Sequence, residues 1–252
     1  MAKDIINKKY NIVDTPQEAI TWNDDAERLI LYADIMGFSH RVTQSNHNEL
    51  KEDLLKFKRS WDAKSIPLRK GDHLRSVQFS DSILIVVNGT NEKMFNLITK
   101  AAVRLMQSAV SLGFPIKGVI AQGKFTYDKN NELYFGLPLV EAYQLHDEIY
   151  YYGVVVHHSA EQTVKLYSDA TRPYTKAKVN LKKGKTSHYH LSCHLLDTKL
   201  SKGNIEDLVN IWLDKIEESV SGAPRIYVDN TRDVIASDNT QWETTIEDVE
   251  LK

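Results

Sequence analysis

The order in which apolar runs alternate with amphipathic stretches restricts the fold of this chain more than any other feature. Arg28 to Ala33 (RLILYA) is an almost continuous apolar run, which predicts a strand buried on both faces. Leu50, Leu54, Leu55 and Phe57 follow at roughly helical spacing, in a polar-rich stretch that reaches about Trp61. Leu74 to Phe79 and Ser82 to Asn88 are strand-like runs on either side of Ser80-Asp81 and predict a β-hairpin. Phe95, Ile98, Ala102, Leu105, Met106 and Ala109 recur at three- and four-residue steps, an amphipathic helix that Gly113 ends. Pro115 to Phe125 reads as strand again. The series is βαββαβ, the ferredoxin-like layout of the α+β class, an antiparallel sheet with two helices on one face. In that layout we expect the first strand beside the strand that follows the first helix.

Beyond this core the pattern predicts a short helix (Leu137 to Asp147), a strand (Gly153 to Val156) and a helix (Ser159 to Tyr167). A hairpin follows, with Ala177–Leu181 and Ser187–His194 flanking Lys-Lys-Gly-Lys. Ile205, Leu208, Val209, Trp212, Leu213, Ile216 and Val220 then mark a further amphipathic helix. Asp229 to Lys252 holds seven acids and two bases with few core-forming residues, the pattern of a flexible or docking tail. The expected organisation is an N-terminal arm over 1–25, a folded domain over 26–200, and a C-terminal helix with an acidic tail over 201–252.

Composition narrows the class. The 252 residues carry 32 Lys plus Arg against 34 Asp plus Glu, and this balance argues against a nucleic-acid partner. Cys193 has no second cysteine to pair with, which fits a reducing compartment. The first residues have no apolar signal core, and no stretch approaches the roughly 20 apolar residues of a membrane span, so a cytoplasmic protein without a membrane partner is expected.

Two acids stand out by position. Asp34 ends a buried strand, where a carboxylate is costly unless it is paired or binds a metal. Asp81 sits at a hairpin tip between two apolar strands. Converging carboxylates would suit a pair of Mg²⁺ or Mn²⁺ ions, with a nucleoside triphosphate supplying further oxygens. The plainer reading is equally open on spacing alone: Asp34 caps the next helix and Asp81 is an ordinary turn residue.

The surrounding residues carry a resemblance. Leu-Tyr-Ala-Asp34-Ile35-Met-Gly37-Phe38-Ser39 is similar to the first metal motif of the class III nucleotidyl cyclases. Gln78-Phe79-Ser80-Asp81, followed by Ser-Ile-Leu-Ile-Val, resembles their second metal hairpin. Gly136 to Leu145 (GLPLVEAYQL) falls where that family carries a glycine, then a transition-state asparagine and arginine. Gly153-Val-Val-Val and the Lys-Lys-Gly-Lys hairpin resemble the closing strands, so the likeness covers about residues 28–195. The resemblance implies that Asp34 and Asp81 bridge two ions, with the Ile35 carbonyl as a further ligand. It also implies that amides around Gly37, Phe38 and Ser39 hold the triphosphate. The site would lie between two head-to-tail protomers of a homodimer, and the product would be a 3′,5′-cyclic nucleotide with pyrophosphate.

The departures matter as much. The asparagine position falls on Val140 and the arginine position on Gln144, neither of which brings positive charge; Arg69, Lys70, Arg75 and Lys124 are candidates to replace it. The purine-selecting positions fall on Val77 and Leu133, which cannot read a purine edge by hydrogen bonds. This pattern, with Glu141-Ala-Tyr, resembles the pyrimidine cyclases of the Pycsar anti-phage systems, whose cyclic nucleotide activates a downstream effector. That likeness implies a uridylate cyclase, with Arg75 and Glu141 among the nucleotide contacts. The alternatives are a cytidylate cyclase and a domain that only senses nucleotide.

Three other signals read as ordinary structure. Gly118 to Phe125 approaches a phosphate-binding loop but puts Phe125 where Ser or Thr must meet Mg²⁺, within a strand. His188, His190 and His194 lack the companions of a zinc site. The bases between Arg172 and Lys202 lack interleaved aromatics for base stacking and read as a solvated face.

Overall fold

The computed structural model describes residues 22, 25–62, 73–168, 174–192 and 202–250, with side chains to residue 238. The core begins with β1 (Ala26–Ile35), α1 (Phe38–Gln44), α2 (His47–Trp61), β2 (Leu74–Phe79), β3 (Ser82–Val87), α3 (Glu92–Leu112) and β4 (Ile116–Asp128). It continues through β5 (Leu133–Gly136), α4 (Leu137–Glu148), β6 (Gly153–Val156), α5 (His158–Tyr167), β7 (Tyr174–Leu181) and β8 (Gly184–Leu191). Helices α6 (Lys202–Ser219) and α7 (Ala223–Glu250) follow.

One sheet runs in the order β2-β3-β1-β4-β6-β8-β7, with β5 paired to β4. Its first four strands are the ferredoxin-like arrangement, all neighbours antiparallel. The expected neighbour of β1 needs correction: β3 lies beside β1, not β2, because the hairpin folds back between the first strand and its parallel mate. The register makes that consequential. Asp34 lies opposite Ser82 of β3 on one side and Lys117 of β4 on the other.

The alternation of β1 separates two cores. Leu29, Leu31, Ala33 and Ile35 face the larger one, with Phe57 and Trp61 of α2 and Phe95, Ile98, Ala102 and Leu105 of α3. Ile30 faces the smaller one, with Val119, Phe125, Ala142, Val155 and Val179, and half-buried Tyr32 packs against it. Helix ends follow local chemistry. Asn91 caps α3 by accepting from the Met94 amide at 3.1 Å, and Gly113 ends it in the left-handed region at φ 72°.

The reading of Asp229 onward as a flexible or docking tail also needs correction. Residues 229–250 belong to α7, and over the part whose side chains are described, Val228, Thr231, Val234, Ile235 and Asp238 are buried against the sheet and α6. Asp238 accepts from Thr175 Oγ1 at 2.7 Å and lies 2.9 Å from His190 Nε2. A buried face that includes a threonine and an aspartate does not register as hydrophobic periodicity. Gly118 to Phe125 is strand throughout, and His190 is committed to Asp238. Cys193, His194, Arg69 and Lys70 lie outside the described residues, as do residues 1–21 of the N-terminal arm. No helix among the described residues is long and apolar enough to cross a membrane.

Candidate active site

The apolar run of β1 is continuous to Ala33, and Asp34 is the first carboxylate the pleat turns towards the α4 side of the sheet. It shares that face with Ile30 and Tyr32. Ser82 Oγ donates to Asp34 Oδ1 at 3.0 Å, and Tyr32 Oη lies 3.3 Å from the same hydroxyl. Burial, followed by the charge of Asp81, pushes the Asp34 carboxyl above the usual carboxylate range, against the Ser82 hydrogen bond and the charge of Lys117.

Asp81 reaches the same end of the sheet through the turn. The Phe79–Ser82 pair closes a two-residue loop of Ser80 and Asp81. Ser80 takes φ 55° there, a conformation that costs a non-glycine residue about 1–3 kcal/mol and is often found at functional sites. The Ile35 amide donates to the Asp81 carbonyl at 3.1 Å, so the β2–β3 turn is tied to the end of β1.

Among the described residues neither carboxylate has a lysine or arginine ion-pair partner. Two adjacent, partly desolvated carboxylates without a paired cation are a donor set for hard divalent ions such as Mg²⁺ or Mn²⁺. The Asp pair therefore fits the cofactor that the resemblance implies.

Lys117 supplies field rather than ligation. Its ammonium is buried and donates to the carbonyls of His146 and Ile149 at 3.2 Å each, at the C-terminal end of α4. Burial pushes it down to about 8, offset in part by Asp147 and Asp34. The carbonyl-rich helix end favours the cation that burial disfavours.

After Ile35 the chain turns at Gly37, whose φ of 71° favours glycine, and enters α1 at Phe38 and Ser39. Gly37 carries no side-chain cap for α1. Arg41 holds the helix down, donating to the Gly113 carbonyl and lying 4.7 Å over the Phe114 ring. Asp34, Ile35, Asp81 and the Gly37–Ser39 turn are thus brought to one end of the sheet.

Arg75 and Glu141 are not brought there within the chain. Arg75 lies four residue pairs up the β2–β3 ladder from the closing pair. Its guanidinium is 4.5 Å over Trp22 and 5.5 Å over Tyr127, a cation–π setting. Glu141 turns to the far end of β6, its Oε2 3.5 Å from His157 Nδ1. Val140, Tyr143 and Gln144 on the same helix face solvent.

Sequence reasoning missed Ser82 and Lys117, which only the strand register places beside Asp34. It also missed His157 and His158. The basic hairpin proves to be engaged: Lys182 pairs with Asp147 and Lys185 with Asp233, both at 2.8 Å.

No protein-family model and no curated protein matches the chain. Among solved structures it is similar to the catalytic core of a rhodopsin-guanylyl cyclase with converted specificity in complex with ATPalphaS. That likeness is 13% identical, with a TM-score of 0.43, over 66% of this chain and 94% of the other. An adenylate/guanylate cyclase/hydrolase from Silicibacter pomeroyi is 15% identical, with a TM-score of 0.46, over 66% and 96%. A class III adenylyl cyclase-like ATP-binding protein from Pseudomonas aeruginosa is 14% identical, with a TM-score of 0.40, over 90% of this chain and 50% of its own.

Proposed function

We propose that this chain is a metal-dependent nucleotidyl cyclase of the class III kind. The observation that carries the reading is the Asp34–Asp81 pair, held together by the β1–β3 register and the Ile35–Asp81 backbone bond, with no lysine or arginine paired to either among the described residues. Two Mg²⁺ or Mn²⁺ ions would supply charge for a triphosphate and lower the pKa of the ribose 3′-hydroxyl. The chain's part is to hold and orient. Asp34 and Asp81 would hold the ions, helped by the Ile35 carbonyl, while Ser82 fixes one Asp34 oxygen. Amides at Gly37, Phe38 and Ser39 would meet the phosphates. The 3′-oxygen would form a bond to the α-phosphorus as its proton passes to water, the bond from the α-phosphorus to the bridging β-phosphate oxygen would break, and pyrophosphate would leave.

The active unit on this reading is a head-to-tail homodimer. Leu133, Phe135, Leu137, Val140 and Tyr143 are large apolar side chains left exposed along β5 and α4, a face suited to a second copy. Val140→Glu is expected to yield monomers in analytical ultracentrifugation and to lower turnover at least about tenfold, through burial of a charge at the interface. A dimer that persists with full turnover would place the contact elsewhere.

The substrate is a pyrimidine triphosphate, preferentially UTP, and cyclic UMP would be a messenger to an effector in anti-phage defence. Half-buried Val77 and exposed Leu133 offer no hydrogen bond to a purine edge. Leaving such an edge unsatisfied costs ~1–3 kcal/mol, up to about a hundredfold in preference. With equimolar ATP, GTP, CTP and UTP plus Mn²⁺, cyclic UMP is expected to dominate when products are resolved by mass spectrometry. Dominant cyclic AMP or GMP would sink the pyrimidine assignment, and dominant cyclic CMP the uracil choice alone. Val140 and Gln144, at the positions of the missing asparagine and arginine, favour a second reading as a nucleotide sensor. Nucleotide binding without pyrophosphate release would select it.

A further inference from the structure

Where β6 ends and α5 begins, three side chains converge, two of which, His157 and His158, have no part in the cyclase reading. Glu141 of α4, His157 and His158 each offer a ligand atom within 4.8 Å of the others. We propose that this corner binds one transition-metal dication of the zinc type, at a site separate from the Asp34–Asp81 pair.

The donor chemistry separates the two. Two imidazoles and one carboxylate suit zinc, whereas Mg²⁺ takes oxygen donors almost alone. Position separates them as well. The His157 amide donates to the Ile120 carbonyl at 2.8 Å, and Ile120 lies opposite Leu31 on β1. Asp34, opposite Lys117, is three residues further along, roughly 10 Å at the rise of a strand.

The local hydrogen bonding can give way to a cation. His157 Nδ1 accepts from the Ser159 amide at a long 3.3 Å, and the same nitrogen lies 3.5 Å from Glu141 Oε2. Among the described residues Glu141 has no lysine or arginine partner. An ion between them would take the one Nδ1 lone pair over from the Ser159 amide and balance the carboxylate.

A second layer fixes the ring. Ser159 Oγ lies 2.9 Å from Nδ1 and accepts from the Gln122 amide at 3.0 Å, while Thr163 donates to Gln122 Oε1 at 2.5 Å. These bonds hold the ring in place through Nδ1 itself. The His158 ring, 4.0 Å from that of His157, is exposed, so a fourth position would open to solvent and a water ligand. The ion would clamp α4 to the end of β6.

Isothermal titration of the full-length protein with zinc sulfate tests the site, with Co²⁺ absorption in the visible as a second readout. One zinc per chain is expected, bound at least tenfold more weakly by Glu141→Gln and by His158→Ala. His157 also caps α5, so these two variants carry the test, with unchanged melting of the metal-free proteins as the control. The D34N/D81N double variant should bind zinc as the parent does. No saturable zinc binding, or binding unchanged in both E141Q and H158A, would overturn the proposal. Loss of zinc in D34N/D81N alone would overturn it too, by moving the ion to the Asp pair.

Discussion

Asp34→Asn is expected to silence cyclisation while leaving the metal-free protein at least as resistant to heat as its parent. Neutralising one of two carboxylates removes several kcal/mol of ion binding, and about 4 kcal/mol corresponds to a thousandfold loss of turnover. Stability should move the other way. The Asp34 carboxyl is raised by burial and by Asp81, so the folded state binds its proton more tightly than the unfolded chain does. Between the ordinary carboxylate range and the raised folded value, stability from this group therefore falls as pH rises. An asparagine keeps an acceptor for Ser82 Oγ and carries no charge to titrate. The melting temperature of D34N relative to its parent should thus climb with pH across that window, in buffer free of divalent ions. Pyrophosphate release within tenfold of the parent would remove Asp34 from the site. A variant that melts lower at neutral pH would show that the carboxylate supports the fold instead.

The second large effect is on stability alone. Asp238→Ala removes an acceptor that is 1% exposed and shared by Thr175 and His190, the latter also 1% exposed. Loss of a buried, charge-assisted bond that leaves its partners short costs about 3 kcal/mol. For a chain of this size that is a fall of roughly 6–12 °C in Tm by differential scanning calorimetry. A change below about 2 °C would mean that α7 is held by its apolar residues and that the polar network adds nothing.

These two aspartates differ in how far they can be read from sequence, for physical reasons. Asp34 follows a run of apolar residues that must be buried, so its charge is conspicuous from the order of residues alone. Asp238 sits among polar neighbours at a spacing that looks solvated, and only the packing of α7 on β7 and β8 makes it buried. The same contrast runs through the fold. The α3 stripe and the Gly153–Val156 run are local patterns, and both elements form where the pattern places them. Strand β5 is not legible in the same way, because Leu133 and Phe135 point to solvent and leave no buried alternation. Ser82, Lys117 and the Glu141–His157–His158 corner depend on register between distant segments, which no window of residues contains.

Lys117 gives the architecture a further property. Its ammonium hangs from the last carbonyls of α4, the helix whose outer side presents Val140 and Tyr143, and its charge is felt at Asp34. A second copy pressing on that helix would therefore act on a lever whose short arm ends beside the Asp34 carboxylate. Displacing the helix terminus by a fraction of an ångström changes the potential at Asp34 without touching it. On the proposed reading, association and catalytic competence would then be mechanically linked through one buried cation, and crowding of chains would set the output of each site as well as their number.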